Sequence, residues 1–164
     1  MFALGRSFRD GSVRAAISLA LILCASPLAA QKTILTLAGP TITFNAPTAA
    51  DYIAGYINSP TGVTFTINAQ TGASRTTKVS IRSLSANLGG GKVIGDLQWR
   101  RSDLAAWNSM TLIDAQVEQR VQVRNGANDP WSNTVFFRML LSWTTDAPAT
   151  YSGTYQITLS QTVP

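Results

Sequence analysis

From Thr33 onward the chain alternates apolar and polar residues with a period of two, and this pattern limits the fold more than any other feature. "GVTFTIN" sets Val63, Phe65 and Ile67 against Thr64 and Thr66, and "TKVSIR" sets Val79 and Ile81 against Lys78, Ser80 and Arg82. "KVIGDLQWR" aligns Val93, Leu97 and Trp99. "TLIDAQVEQRVQV" aligns Ile113, Ala115, Val117, Val121 and Val123, interrupted by Gln119. "TVFFRMLLSW" groups Val135, Phe137, Met139, Leu141 and Trp143, and "TYQITLSQTV" groups Tyr155, Ile157, Leu159 and Val163. A period of two marks half-buried antiparallel strands, because successive side chains leave opposite faces of the sheet.

Between these runs lie "AGP", "NSPTG", "AQTGAS", "NLGGG", "RNGANDP" and "TDAPATYSG". Gly supplies positive φ and Pro removes a donor, so strands end there. About eight or nine short strands at this spacing predict an all-β fold, a two-sheet antiparallel β-sandwich of immunoglobulin-like style, with a small barrel as the alternative. Only "RRSDLAAWNSM" at 100–110 has room for a helical turn, and it reads as a connecting loop.

The first thirty residues read as a signal peptide to be cleaved after Ala30. Arg6, Arg9 and Arg14 precede the apolar stretch Ala15–Leu23, and small residues surround Ala29 and Ala30. The apolar run is too short for a membrane span. The bulky Leu23 before Cys24 argues against lipid attachment. Residues 31–164 are then expected to form one β-sandwich domain that is secreted, periplasmic or at the cell surface. This segment has no cysteine, so an ordinary core rather than disulfides must hold it. It carries ten Lys/Arg and seven Asp/Glu, a net charge of +3, and its basic residues are scattered. A basic stripe is missing, so nucleic acid is not an expected partner.

The chain has no histidine, and its one cysteine lies in the leader. This excludes Ser-His-Asp and Cys-His nucleophiles and removes the usual zinc and copper ligands, and no cofactor motif appears. Carboxylates are the remaining acid–base groups: Asp51, Asp96, Asp103, Asp114, Glu118, Asp129 and Asp146. Glycoside hydrolysis needs two of them facing each other across a cleft. Asp114 and Glu118 share a strand parity, but they read as a solvated outer face beside Arg120, so no enzyme is expected. Asn125, Asn128 and Asp129 in "NGANDP" offer calcium-type oxygen ligands. The competing account is an Asx-type turn between strands.

Trp143 and Phe137 share their strand's apolar parity and read as core. Trp107 and Trp131 fall in the loop-like "LAAWNS" and "NDPWSN", and Trp99 ends an apolar row. These three tryptophans are the candidate ligand-binding residues, for stacking on sugars. The alternative is that Trp107 and Trp131 fold back to cap the ends of the fold.

The stretch "FFRMLLSWTTDAPATYSGTYQITLS", within residues 133–163, resembles the ending of exported bacterial immunoglobulin-like β-sandwich subunits of the fimbrial and spore-coat-protein-U type. That resemblance implies a non-catalytic structural, adhesive or fimbria-like subunit, whose partners are other subunits joined by β-strand augmentation, or surface glycans. The chain departs from the type in lacking a disulfide and in ending "SQTVP" without an aromatic residue. If a strand is donated, "KTILTLAGPTITF" at 32–44 is the candidate. The competing reading makes it the first strand or two of its own domain. A small carbohydrate-binding module is the alternative function.

Overall fold

The computed structural model describes residues 33–146, 151 and 153–163. The expected leader and part of the last turn lie outside the described residues. The chain is mostly β, with strands β1 (Ile34–Ala38), β2 (Tyr56–Asn58), β3 (Val63–Asn68), β4 (Arg75–Ser83), β5 (Asn87–Gly89) and β6 (Lys92–Val93). These are followed by β7 (Leu97–Arg101), β8 (Asn108–Ser109), β9 (Ala115–Gln122), β10 (Trp131–Leu140) and β11 (Tyr155–Thr162). A six-stranded antiparallel sheet runs β1-β3-β10-β7-β8, with β2 also on β10. A three-stranded sheet runs β11-β4-β9, and β5 pairs with β6. No described helix is long and apolar enough to cross a membrane.

The apolar rows of β3, β4 and β10 point inward as the sequence pattern requires, but Ser80 of β4, expected to face water, is also buried, at 4% exposed. Val63, Phe65, Ile67, Val135, Phe137 and Met139 from the larger sheet meet Val79, Ile81, Val117 and Ile157 from the smaller one in a single apolar cluster. Each such side chain contributes about 1.5–3 kcal/mol by leaving water. Phe65 meets Trp131 edge to face, with ring centroids 5.5 Å apart. Gly62 lets β3 start close to β10, because a Cβ there would lie 2.5 Å from the Thr134 methyl.

The connection order differs from the immunoglobulin expectation. There the last strand pairs with the penultimate one, whereas here β11 pairs with β4 over eight residues and β10 belongs to the other sheet. Residues Ile34–Ala38 pair within the chain, from Ile34 opposite Asn68 to Ala38 opposite Thr64. Part of the segment suspected of strand donation is therefore a strand of its own sheet.

Other sequence expectations are corrected by local geometry. Val79 faces Glu118 while Ser80 faces Gln116, so β9 holds one residue more than its partner at Val117. Such a bulge reverses the facing of everything after it. Glu118 and Gln122 are consequently buried, and Val121 is 55% exposed. A 3-10 turn at Ile94–Asp96 breaks the alternation before β7, which buries Lys92 and exposes Val93. β10 stops at Leu140, and Trp143, expected in the core, is 61% exposed and stacked on Tyr52. Ile113 and Val163 are also exposed.

One short helix, α1 (Ala49–Ala54), was missed by the sequence reading. Thr48 and Asp51 form a reciprocal capping box at its start, and Gly55 ends it with φ 77°. The segment 100–110 is a loop, apart from the two-residue β8.

Lys92 is buried because it meets a partner. Its Nζ lies 2.5 Å from a carboxylate oxygen of Asp146, and both side chains are almost fully enclosed. The Ser142 N–H donates to the same carboxylate at 2.6 Å. Lys92→Met strands that carboxylate out of water and is expected to cost about 3–5 kcal/mol in urea unfolding. Adding Asp146→Asn should return part of the loss. Equal stability of Lys92→Met and wild type would contradict the burial of the pair.

Candidate functional site

An open groove with unpaired cations lies on the outer face of the six-stranded sheet. Outward-facing positions of β7 and β10 alternate with the core row, so Arg100 stands opposite Phe136 and Gln98 opposite Arg138. On the far side of β10, Arg138 stands opposite Asn58 and Leu140 opposite Tyr56. The loop after β7 then returns and lays Trp107 against this face. Tyr56, Asn58, Arg100, Trp107, Phe136 and Arg138 line an open groove of about 500 Å³.

The groove is ordered by stacking of cations on rings. The Arg138 guanidinium lies 4.5 Å from the centre of the Trp107 ring and 4.9 Å from that of Tyr56. Arg100 lies 5.2 Å from Trp107 and 5.3 Å from Phe136. Such stacking is worth about 0.5–1 kcal/mol at exposed sites. Each guanidinium is also tethered at one edge. Arg138 donates through Nε to the Gln98 side-chain oxygen at 2.7 Å, and Arg100 donates to the Leu104 carbonyl at 2.9 Å.

Neither arginine has a carboxylate partner among the described residues, because the acids are engaged elsewhere. Asp51 caps α1. Asp96 and Asp146 lie on Lys92, and Asp114 lies on Arg82. Asp103 pairs with Arg101, and Glu118 is held by Arg120 at 2.6 Å, by Arg101 at 3.7 Å and by the Asn133 amide at 3.0 Å. Asp114 and Glu118, read as one solvated face, are thus separated by the bulge into an exposed and a buried carboxylate.

Of the candidate sugar-stacking residues, only Trp107 is placed at this groove. Trp99 is buried in the core. Trp131 is 4% exposed and is the first residue of β10, not of a loop; its parity matches Val135 and Phe137. Its Nε1 donates to the Gln122 side-chain oxygen at 3.1 Å, and Arg120 stacks over its ring. Burial removes both rings from any stacking surface. Tyr56, Arg100, Phe136 and Arg138 were missed: the outward parity of Arg100, Phe136 and Arg138 was visible but not the register that joins them, and the short strand that carries Tyr56 was not foreseen.

The calcium candidates are occupied by the protein's own donors. One Asp129 oxygen accepts from the Ala69 N–H and the Gln122 amide, and the other accepts from the Asn125 N–H. Asn128 donates to the Val121 carbonyl, and Asn125 takes φ 60°. The loop is held by these bonds and by the turn bonds from Gly126 N–H to the Val123 carbonyl and from Asp129 N–H to the Gly126 carbonyl. The side-chain bond reaches back four residues, unlike the two-residues-on bond of an Asx turn. No cluster of three His, Cys, Asp or Glu side chains occurs among the described residues. No family model matches the chain, and no characterised protein or solved structure shows significant similarity to it.

The bond to Arg101 holds the Asp103 carboxyl at about 2. Burial pushes Asp129 and Asp146 up, but donated hydrogen bonds outweigh it and leave both below the ordinary carboxylate range. A carboxylate whose folded pKa lies below its unfolded value of about 3.9 stabilises the fold fully above that value and stops doing so as pH falls through the folded one. Urea midpoints are therefore expected to hold down to about pH 4 and then drop toward pH 2. Asp146→Asn should flatten that drop more than Asp103→Asn, since Asp103 is half exposed and water screens its ion pair. A midpoint independent of pH over that window would contradict the assignment.

Proposed function

We propose that the chain is an exported, non-catalytic β-sandwich that works by binding, as a small carbohydrate-binding or adhesive module of the secreted, periplasmic or cell-surface kind. The observation that carries this reading is the groove itself, in which Trp107 and Tyr56 lie beside two arginines with no acid to neutralise them. Its volume falls in the range of small-ligand sites, about 300–1,000 Å³. The absence of histidine supports a non-catalytic role.

The fimbria-like alternative draws less support. The strand β1, within the 32–44 segment that a strand-exchanging subunit would lend, is paired within the chain. A surface-adhesive role needs no such exchange and is compatible with the groove.

Tryptophan fluorescence during titration with neutral and acidic polysaccharides tests the proposal. Trp99 and Trp131 are buried, so a ligand in the groove reports through Trp107. The expected result is a saturable shift with at least one glycan, which Trp107→Ala abolishes and Trp143→Ala leaves intact. No response to any glycan, or an unchanged response in Trp107→Ala, would reject it.

A further inference from the structure

We infer that the ligand of this groove is an acidic glycan, a sugar chain bearing carboxylate or sulfate groups, and that Arg138 and Arg100 are the residues that select the charge. The inference rests on reading the groove as the binding site.

Arg138 is a fixed cation with unused donors. Its Nε is committed to Gln98, while its two terminal nitrogens meet no acceptor among the described residues. Those nitrogens form the planar fork that matches a carboxylate or sulfate group with two parallel hydrogen bonds. Trp107 stacks with both guanidiniums, so one indole orders both charges, and little side-chain entropy remains to be lost on binding. Arg100 keeps its Nε and one terminal nitrogen free in the same way. The Asn58 side-chain amide, on the same wall, makes no hydrogen bond among the described residues and adds a neutral group suited to a sugar hydroxyl. Tyr56, with Arg138 over its ring, stands beside it.

Charge placement favours a glycan over a nucleic acid. A nucleic acid strand needs a track of cations along its phosphates. Here Arg75, Lys78 and Arg82 belong to the smaller sheet, Arg120 is committed to Glu118, and Lys92 is buried. Two cations flanked by aromatic rings suit a polymer that carries its charge at intervals between apolar ring faces.

The test is calorimetric titration of the protein with oligogalacturonate, its methyl ester, dextran sulfate, dextran and single-stranded DNA. The expected result is that at least one of the two acidic glycans binds while the methyl ester and dextran do not. Arg138→Gln is expected to weaken acidic binding roughly tenfold or more, the worth of a charge-assisted pair. Arg100→Gln, which leaves the Gln98 contact in place, should weaken it in the same direction. Raising salt from about 0.05 M to about 0.5 M should weaken wild-type binding without any substitution, because exposed charges are then screened. Unfolding midpoints establish that each variant folds.

Equal affinity for acidic and neutral chains, or acidic binding unchanged by both substitutions and by salt, would overturn the inference. If the neutral binding is still lost in Trp107→Ala, the groove remains the binding site and only the charge selection falls. Tighter binding of DNA than of either acidic glycan would also overturn it. No binding of any of the five would overturn both readings.

Discussion

The side-chain amide of Gln122 joins the two sheets, and the positions around it follow from that joint. It is 2% exposed and bonded on both ends: its oxygen accepts from the Trp131 indole, and its nitrogen donates to the Ile67 carbonyl and to Asp129. Gln122 belongs to β9, whereas Ile67 and Trp131 belong to neighbouring strands of the other sheet. A buried amide left unbonded costs about 1–3 kcal/mol, so alternative alignments of the sheets that break these bonds are disfavoured. Asp129 extends the joint into the loop before β10, where it gathers three N–H donors. The start of β10 is thereby fixed, and with it the register of a strand that serves both faces of the larger sheet. Its inward row packs the core, and its outward row supplies Phe136 and Arg138 to the groove.

The bulge in β9 makes this joint possible. Without the additional residue at Val117, Gln122 would face water and Val121 the core, as uninterrupted alternation predicts. The same reversal buries Glu118 beneath Arg101 and Arg120, a second polar link between the sheets, with Asn133 of β10 as its fourth member. A one-residue irregularity therefore replaces apolar contacts by two satisfied polar clusters. Partly bonded clusters of this kind destabilise, and satisfied ones restrict the core to one arrangement.

How much of this was legible depended on whether a strand kept its alternation. The apolar rows of β3, β4 and β10 were readable because their period of two continues, although Ser80, read as outward, is buried where the β4–β9 register shifts. β9 was not, since a bulge leaves no mark in a list of residue types, and the apolar Val121 and the polar Gln122 each suggested the wrong face. Lys92 and Val93 were inverted for a related reason, the 3-10 turn that follows them. The helix α1 carried a readable signal, Thr48 three residues before Asp51 with Gly55 beyond, but a six-residue helix shows too few apolar repeats to announce itself. At the groove, the outward positions of Arg100, Phe136 and Arg138 were visible alone, whereas the three-residue strand carrying Tyr56 and Asn58 was too short to show an alternation. What placed Arg100 beside Phe136, and Arg138 between Gln98 and Asn58, was the pairing of strands far apart in the chain, which no local pattern encodes.

The separation of these two faces has an energetic consequence. Carboxylates pair with the enclosed or half-buried cations Lys92, Arg101 and Arg120, so these regions hold little net charge and the attraction within each pair offsets part of its desolvation cost. Arg100 and Arg138 lie half-buried on the outer face of the larger sheet without a carboxylate partner among the described residues, and stacking on Trp107 holds them without neutralising them. An acid beside Arg138 would occupy its two terminal nitrogens, which meet no acceptor among the described residues. Stacking and single tethers to Gln98 and Leu104 therefore order both guanidiniums while leaving terminal donors open to the ligand proposed above.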